Sequence, residues 1–213
     1  MNDLKQKTAK QLLDIGAVFL RPNEPFTWAS GIKSPIYCDN RLILSFPDVR
    51  KDVAKGLAAL VEEYYPECEA LFGTSTAGIA HAALTADVLG LPMGYVRGSS
   101  KDHGRANQIE GKVQEGQSVV VVEDLISTAG SCIDTAQALQ EAGCNVLGVV
   151  SIFNYQLQKG KERLHAANLQ NHSLSDLDAL VKVAEENKYI EEKDIARIIA
   201  FRENPQDISW QQI

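Results

Sequence analysis

The segment Ser118-Val-Val-Val-Val-Glu-Asp-Leu-Ile-Ser-Thr-Ala-Gly-Ser131 carries the strongest fold signal in this chain. Its valines, Val119 to Val122, predict a strand that is buried on both faces, because a strand with one solvated face alternates apolar and polar residues. Small residues follow, and Ser131 with Asp134 forms an S-x-x-D pattern. In this pattern Ser131 caps a helix that includes Ala136. We therefore expect a strand, a tight turn and a helix, the repeating unit of α/β proteins.

The same segment has the chemistry of a ligand site. A helix N-terminus presents unpaired N–H groups and a partial positive charge, and the small residues 127–131 would let a phosphate approach them. Glu123 and Asp124, which we expect at the carboxyl end of the strand, can accept hydrogen bonds from sugar hydroxyls. A ribose phosphate fits both halves, since open α/β sheets bind ligands beyond the carboxyl ends of their strands. The alternative is a solvated strand end followed by a simple connection.

A second unit of this kind precedes the first. Residues 69–73 predict a short strand, and the turn Thr74-Ser-Thr-Ala-Gly78 leads into a helix that ends at Leu89. Gly73 and Gly78 have P-loop spacing, but residues 79–80 are Ile-Ala where a P-loop needs Lys followed by Ser or Thr. This difference disfavours a nucleoside triphosphatase.

Most of the remaining chain also reads as strands and helices. We predict strands at residues 17–20, 26–28, 36–38, 91–96 and 145–153, and helices at residues 3–15, 47–64, 157–167, 175–186 and 191–201. The first three strands precede any βαβ pattern and suggest a small antiparallel lobe. The later strands alternate with helices, which predicts an α/β fold with a mostly parallel central sheet.

The composition excludes several classes of protein. The 213 residues, 45% of them hydrophobic, can bury the core of one domain, and a net charge of −7 argues against a nucleic-acid or membrane binder. The four cysteines show no C-x-x-C spacing, so we predict neither a zinc site nor a disulfide framework. No apolar run reaches membrane-spanning length and no secretory signal is visible, so we expect a cytoplasmic protein. His165 and His172 are expected at the surface.

Residues 97–111 form a polar segment that is too long for a routine connection. Arg97, Lys101, His103 and Arg105 concentrate positive charge in nine residues of an acidic protein. We therefore interpret the segment as a lid that binds an anion, in preference to a solvated loop.

Three motifs resemble those of known families. Residues 119–131 resemble the ribose-phosphate fingerprint of type I phosphoribosyltransferases, which bind phosphoribosyl pyrophosphate (PRPP). Phe26 to Arg41, FTWASGIKSPIYCDNR, is similar to the F-T-x-x-S-G-x-x-S-P segment of orotate phosphoribosyltransferases. The K-D-H-G sequence of residues 101–104 resembles the catalytic loop of the same family, and the resemblance covers most of residues 17–155.

The resemblance implies a fold and an activity. It implies the type I phosphoribosyltransferase fold in a single domain, residues 1–213, with a small N-terminal hood (1–44), a PRPP-binding core (45–155) and a C-terminal helical segment (156–213). It implies that PRPP and orotate give orotidine 5′-monophosphate and pyrophosphate, in the biosynthesis of UMP. It also implies a homodimer in which loop 97–111 acts across subunits, and Mg²⁺ bound through substrate and water.

The resemblance also implies roles for individual residues. The implied catalytic residues are Arg97, Lys101, His103 and Asp124, and the implied orotate contacts are Tyr37, Ser127 and Thr128. The implied PRPP-binding residues are Thr74, Ser75, Thr76, Ala77, Arg97, Lys101, His103, Glu123, Asp124, Leu125, Ile126, Ser127, Thr128, Ala129, Gly130 and Ser131. Cationic residues of many members are replaced here by Ala29, Ala77, Gly98 and Asn154-Tyr155, which leaves the orotate carboxylate without an assigned partner.

Two other functions share the ribose-phosphate unit. A purine phosphoribosyltransferase would not need the segment 26–41 or the K-D-H-G loop. A PRPP-sensing regulator would be expected to carry a basic DNA-binding domain, and the sequence shows none.

Overall fold

The computed structural model describes residues 2–28, 31–98 and 108–213. The helices in these ranges are α1 (Asn2–Asp14), α2 (Pro47–Tyr64), α3 (Ala77–Leu89), α4 (Gly130–Glu141), α5 (Gln158–Ala166), α6 (Leu177–Glu186) and α7 (Glu192–Glu203). The strands are β1 (Val18–Leu20), β2 (Phe26–Thr27), β3 (Lys33–Ser34), β4 (Ile36–Cys38), β5 (Ala70–Thr74), β6 (Met93–Val96), β7 (Ile109–Glu110), β8 (Ser118–Ile126), β9 (Asn145–Asn154) and β10 (Asn171–Asp176). Short 3-10 helices span Asn40–Ser45 and Ile208–Gln212.

The described residues form one central sheet of six strands in the order β10-β9-β8-β5-β6-β7. Every pair is parallel except β6 and β7, which run antiparallel. The prediction of an α/β fold with a mostly parallel sheet is therefore confirmed. In the hood, β1 pairs antiparallel with β4 and β2 with β3, so the predicted antiparallel lobe is confirmed as well.

The four valines of β8 are fully buried, and alternate valines point to opposite faces of the sheet. Val120 and Val122 pack in the larger core with residues of α1, α2 and α6. Val119 and Val121 pack in a second core with residues of α4. Burial on both faces explains the uninterrupted apolar run and confirms the prediction.

Two details of the predicted strand–turn–helix unit are wrong. Glu123 and Asp124 lie inside β8 and not at its end, because the parallel ladder with β9 continues as far as Ile126. The pairing of β8 with β5 stops earlier, at Val122, so Glu123 lies beside Thr74, the last residue of β5, and Asp124 extends beyond it. Ser131 does not cap α4, which begins at Gly130 with no side-chain cap.

The C-terminal segment was predicted to be helical, and this is wrong for β10, which forms an edge of the central sheet. Its sequence, NHSLSD, lacks an apolar run, and contacts with α1 and α2 cover it instead. Helix α6 begins two residues later than predicted, after Asp176, which caps it by accepting a hydrogen bond from Ala179 N. His172 is half-buried, with its ring stacked 3.6 Å from that of Tyr64, whereas His165 is exposed as predicted. The three-part division of the chain stays a prediction.

Each helix within the described ranges is too short or too polar to cross a membrane.

Candidate active site

The Glu123 carboxylate links the two turns that the sequence singles out. It is 3% exposed, and its Oε1 accepts hydrogen bonds from Thr74 Oγ1 (2.6 Å) and from the N–H of Asp124 (3.0 Å). Its Oε2 accepts a hydrogen bond from Ser131 Oγ. Three donors therefore satisfy a buried carboxylate that would otherwise be costly to bury. In this structure Glu123 holds the end of β5 against the start of α4.

Asp124, the second acid, has a different environment. Burial, together with a hydrogen bond to Glu123 and the negative charge of Glu123, raises the pKa of Asp124 to about 7. His81, on α3, acts in the opposite direction and favours the ionised form. The Asp124 carboxyl is thus poised to gain or lose a proton near neutral pH, as is common at functional sites.

The turn after β8, residues 127–129, is shaped for an anion. Ala129 adopts a left-handed backbone conformation (φ 58°) and precedes α4, whose N-terminus has no side-chain cap. The N–H groups of the first helical turn are therefore available to a phosphate. Helix α5 supports the turn from behind, because Arg163 Nη1 donates to Thr128 O at 3.1 Å. A Cβ on Gly160 would lie 2.4 Å from Ser127 O, so α5 can approach the turn this closely only with glycine at this position.

The turn between β5 and α3 lies beside the first. Thr74 donates its hydroxyl to Glu123, and Ser75 Oγ donates to Val96 O at 2.6 Å. Because both hydroxyls already donate hydrogen bonds within the protein, a pyrophosphate at this turn would be bound by backbone N–H groups. Helix α3 also begins without a side-chain cap, at Ala77. A Cβ on Gly78 would lie 2.4 Å from Thr74 Oγ1 and 2.5 Å from Val122 O, so only glycine allows this turn to pack against β5 and β8.

A cavity of about 340 Å³ opens between these turns and the start of segment 97–111. Three predicted site residues, Ser75, Arg97 and Ser131, line it. The volume lies at the lower end of the range for small-molecule sites. Arg97 is exposed, and its Nε lies 3.2 Å from Glu110 Oε1. Lys101 and His103 lie outside the described residues, so their predicted roles stay predictions.

The hood reaches the acidic pair through buried polar contacts. Tyr37 is 40% exposed, and its ring lies 5.5 Å from that of Phe26. Asn40, which is fully buried, donates its Nδ2–H to the backbone carbonyl of Asp124 at 2.6 Å. Tyr155 is also buried and packs against Trp28 with ring centroids 5.6 Å apart.

Two of the positions that lack the expected cations are occupied by residues engaged within the protein. Tyr155 is a core residue, and Asn154 accepts a hydrogen bond from Gln156 N. Arg41 is bound by both oxygens of Asp39, at 2.6 and 2.8 Å. Ala29 lies outside the described residues. The partner of the orotate carboxylate therefore stays unassigned.

Sequence reasoning missed three residues around this site: Asn40, His81 and Arg163. Each acts on a segment that is distant in the chain, and the contact of Asn40 with Asp124 spans 84 positions. The one local signal was the placement of polar residues in apolar surroundings, such as His81 among the alanines of α3.

Comparisons with known proteins agree with this geometry. A family model described as a phosphoribosyl transferase domain matches residues 43–183. An orotate phosphoribosyltransferase of Bacillus subtilis is 61% identical over 207 residues, which cover 97% of this chain and 96% of the relative. One of Bacillus cytotoxicus is 57% identical, with 97% and 99% coverage. The crystal structure of orotate phosphoribosyltransferase from Aeropyrum pernix superposes with a TM-score of 0.74 at 27% identity, covering 86% of this chain and 99% of that chain. With this identity over nearly its whole length, the chain belongs to the orotate phosphoribosyltransferase family of type I phosphoribosyltransferases.

Proposed function

We propose that this chain transfers the 5-phosphoribosyl group of PRPP to orotate, giving orotidine 5′-monophosphate and pyrophosphate in pyrimidine biosynthesis. The observation that carries the proposal is the convergence of two uncapped helix N-termini on the acidic pair of β8. Such an arrangement offers separate places for two phosphate groups and for the ribose hydroxyls between them.

The reaction needs positioning and charge neutralisation. A bond forms between N1 of orotate and C1 of the ribose, the C1–O bond to pyrophosphate breaks, and the proton on N1 is lost. Positive charge grows on the ribose while negative charge grows on the leaving group. In the proposal, residues 127–131 hold the 5′-phosphate, the Asp124 carboxylate accepts hydrogen bonds from the ribose hydroxyls, and the turn at residues 74–77 holds the pyrophosphate. Holding both substrates in line removes much of the entropic barrier.

Magnesium fits this site through the substrate. Among residues 2–28, 31–98 and 108–213, no group of three or more His, Cys, Asp or Glu side chains is arranged to hold a metal ion. PRPP itself supplies phosphate and hydroxyl oxygens, which Mg²⁺ prefers, and Asp124 would hold the hydroxyls that the ion shares. When bound, the ion would neutralise charge on the pyrophosphate.

The loop is proposed to close over the pyrophosphate from the partner subunit. Arg97, Lys101 and His103 would neutralise the leaving group and exclude water, which could otherwise hydrolyse PRPP. Residence in the cytoplasm also stays a prediction.

One assay tests the activity. The protein is incubated with PRPP and Mg²⁺ and offered orotate, adenine, hypoxanthine or no base, and the nucleotide product is identified. We expect orotidine 5′-monophosphate alone. Adenylate or inosinate would indicate a purine phosphoribosyltransferase, and PRPP binding without any nucleotide would indicate a regulator; either result would contradict the proposal.

A subunit-mixing experiment tests the loop. Lys101→Ala is expected to lower kcat severely without loss of folding, and Asp124→Asn to remove the ribose contact. If the loop acts across subunits, each mixed dimer regains one complete site, and a random equal mixture recovers roughly a quarter of the wild-type rate. No recovery, despite subunit exchange verified with tagged subunits, would show that the loop acts within its own subunit.

A further inference from the structure

The hood is built from very short strands. β1 pairs with β4 over three residues, and β2 pairs with β3 over two. Two-stranded ribbons of this length are marginally stable in water, so the hood needs support from other elements. Part of that support comes from the C-terminal end of the chain, where α7 packs against the 3-10 helix Ile208–Gln212. We call these two elements, residues 192–212, the C-terminal clamp.

Arg197 of α7 joins the clamp to the turn between β1 and β2. Its Nη1 donates to Asn23 Oδ1 and its Nη2 to Pro22 O, both at 2.6 Å. The same Nη2 donates to Gln211 O, in the 3-10 helix, at 3.4 Å. Asp194, one turn earlier in α7, lies 3.6 Å from Nη1 and balances the charge of a guanidinium that is mostly buried. One planar group therefore ties the hood turn, α7 and the 3-10 helix together.

Trp28 is a second point of contact between the hood and the clamp. Its ring meets that of Phe201, on α7, edge to face with centroids 5.6 Å apart, and meets the ring of Tyr155 at the same distance. Phe201 in turn packs on Trp210 of the 3-10 helix, with centroids 5.8 Å apart. Trp210 is 1% exposed, and the guanidinium of Arg197 lies 5.9 Å from its ring. Both contacts of the clamp with the hood thus depend on Trp210.

Trp28 also lies close to the residues that are expected around orotate. It belongs to the segment 26–41 that resembles the orotate phosphoribosyltransferase motif. Its Nε1 donates to Ile36 O at 3.4 Å, next to Tyr37, which the resemblance assigns to orotate. A displacement of Trp28 would therefore move the backbone of β4 at this position.

The hood is fixed to the strand that is proposed to hold the ribose. Asn40 donates to the backbone carbonyl of Asp124 at 2.6 Å. A base joined to a ribose at Asp124 would lie against the hood, whereas other contacts, those of Glu123 and Arg163, hold the two phosphate turns. The position of the hood should thus affect the base more than PRPP.

We propose that Arg197 and Trp210 are positioning residues that hold the hood in the place where orotate binds. The inference rests on the proposed function, because orotate is the base of that reaction. The clamp acts through Trp28 and through the turn at Pro22 and Asn23. Its loss should weaken orotate binding and preserve PRPP binding, since a small displacement of a positioning contact is enough to misplace a substrate.

Trp210 offers a matched pair of substitutions. Its Nε1 has no hydrogen-bond partner among the described residues, so Trp210→Phe removes no bond seen within them and keeps an aromatic ring against Phe201. Trp210→Ala removes the ring. Arg197→Lys is a second test, because it keeps a positive charge beside Asp194 but loses the planar group that reaches the hood turn. Leu180→Ala, at a fully buried position of α6, is the control for a general loss of stability.

The test measures kcat, the KM for orotate and the KM for PRPP in the full-length wild type and in these variants. We expect Trp210→Ala and Arg197→Lys to raise the KM for orotate about tenfold, and to change the KM for PRPP less than about twofold. Trp210→Phe should stay close to the wild type. Leu180→Ala should lower the melting temperature, because it leaves a cavity, and should not change the KM for orotate.

Fluorescence gives a readout without turnover. Trp28 and Trp210 are the two tryptophans of the chain, so Trp28 is the only one left in Trp210→Phe and in Trp210→Ala. We expect the Trp28 emission to lie at longer wavelength in Trp210→Ala, because loosening of Phe201 exposes the Trp28 ring to water. Equal emission from the two variants overturns the inference.

The kinetic outcomes are equally clear. A rise in the KM for orotate that is matched by the KM for PRPP, or that appears equally in Leu180→Ala, overturns the proposal. If Trp210→Ala does not fold, Arg197→Lys decides, and an unchanged KM for orotate in that variant overturns the proposal. A wild type that forms no orotidine 5′-monophosphate would refute the proposed activity, and the Trp28 emission would still test whether the clamp holds the hood.

Discussion

Replacing Asp124 by Asn is expected to make the ligand-free protein more stable while it removes productive PRPP binding. Asp124 is held in the sheet next to Glu123, in surroundings that disfavour its negative charge. The Asn side chain has nearly the same shape, carries no charge and can still donate a hydrogen bond to Glu123. The substitution therefore relieves the cost of a buried charge and leaves the packing in place.

The size of the effect follows from the pKa. The pKa of Asp124 is raised from 3.8 to about 7, and each unit corresponds to about 1.4 kcal/mol, so the ionised carboxylate destabilises the folded protein by about 4 kcal/mol at pH 8. Because the folded pKa is raised, the native state binds more protons than the unfolded state between about pH 4 and pH 7. The free energy of unfolding thus falls as the pH rises through this window. At pH 5 the penalty is only about 2 kcal/mol.

Urea unfolding of the ligand-free wild type and of Asp124→Asn at pH 5 and pH 8 checks this reasoning. We expect the variant to be more stable at both pH values, with the larger gain at pH 8, where the melting temperature should rise by roughly 10 °C. Glu123→Ala is the contrasting control, because it removes the acceptor of three hydrogen bonds and should destabilise the protein by about 1–3 kcal/mol. No gain in stability at pH 8, or the same gain at both pH values, would show that the ionised Asp124 carboxylate does not destabilise the folded protein.

Two further substitutions test the turns. Gly78→Ala should destabilise the protein by about 1–3 kcal/mol, since the new Cβ would lie 2.4 Å from Thr74 Oγ1. Thermal unfolding checks this, with Gly98→Ala as the control because its Cβ meets open space. Equal melting temperatures for the two variants would contradict the prediction. Arg163→Ala should raise the KM for PRPP about tenfold with a smaller change in kcat, because the bond to Thr128 O supports the phosphate turn. Steady-state kinetics checks this, with Arg163→Lys as the variant that keeps the charge but loses the planar guanidinium group. Full activity in Arg163→Ala would show that the turn is stable without the Arg163 hydrogen bond.

Local patterns were sufficient for most of the fold. The valine run of β8 and the helical spacing in α2 depend on neighbours within one element, so a period in the sequence reveals them. The two hydroxyl-rich turns were also predictable, because a turn that binds phosphate is built from a few consecutive small residues. β10 escaped prediction because its polar sequence joins the sheet by pairing with β9 and is covered by α1 and α2, and no local pattern records such distant contacts.

The acidic pair shows where local reasoning ends. The sequence is enough to place two carboxylates beside a phosphate-sized turn, since they follow the valines directly. Only the folded chain shows that Glu123 is satisfied by three protein donors, whereas Asp124 is left with a raised pKa. The difference arises because side chains from β5 and α4 reach Glu123, and because Asn40 and His81 approach Asp124 from the hood and α3. Burial and charge depend on which distant segments meet, and that is a property of the tertiary structure.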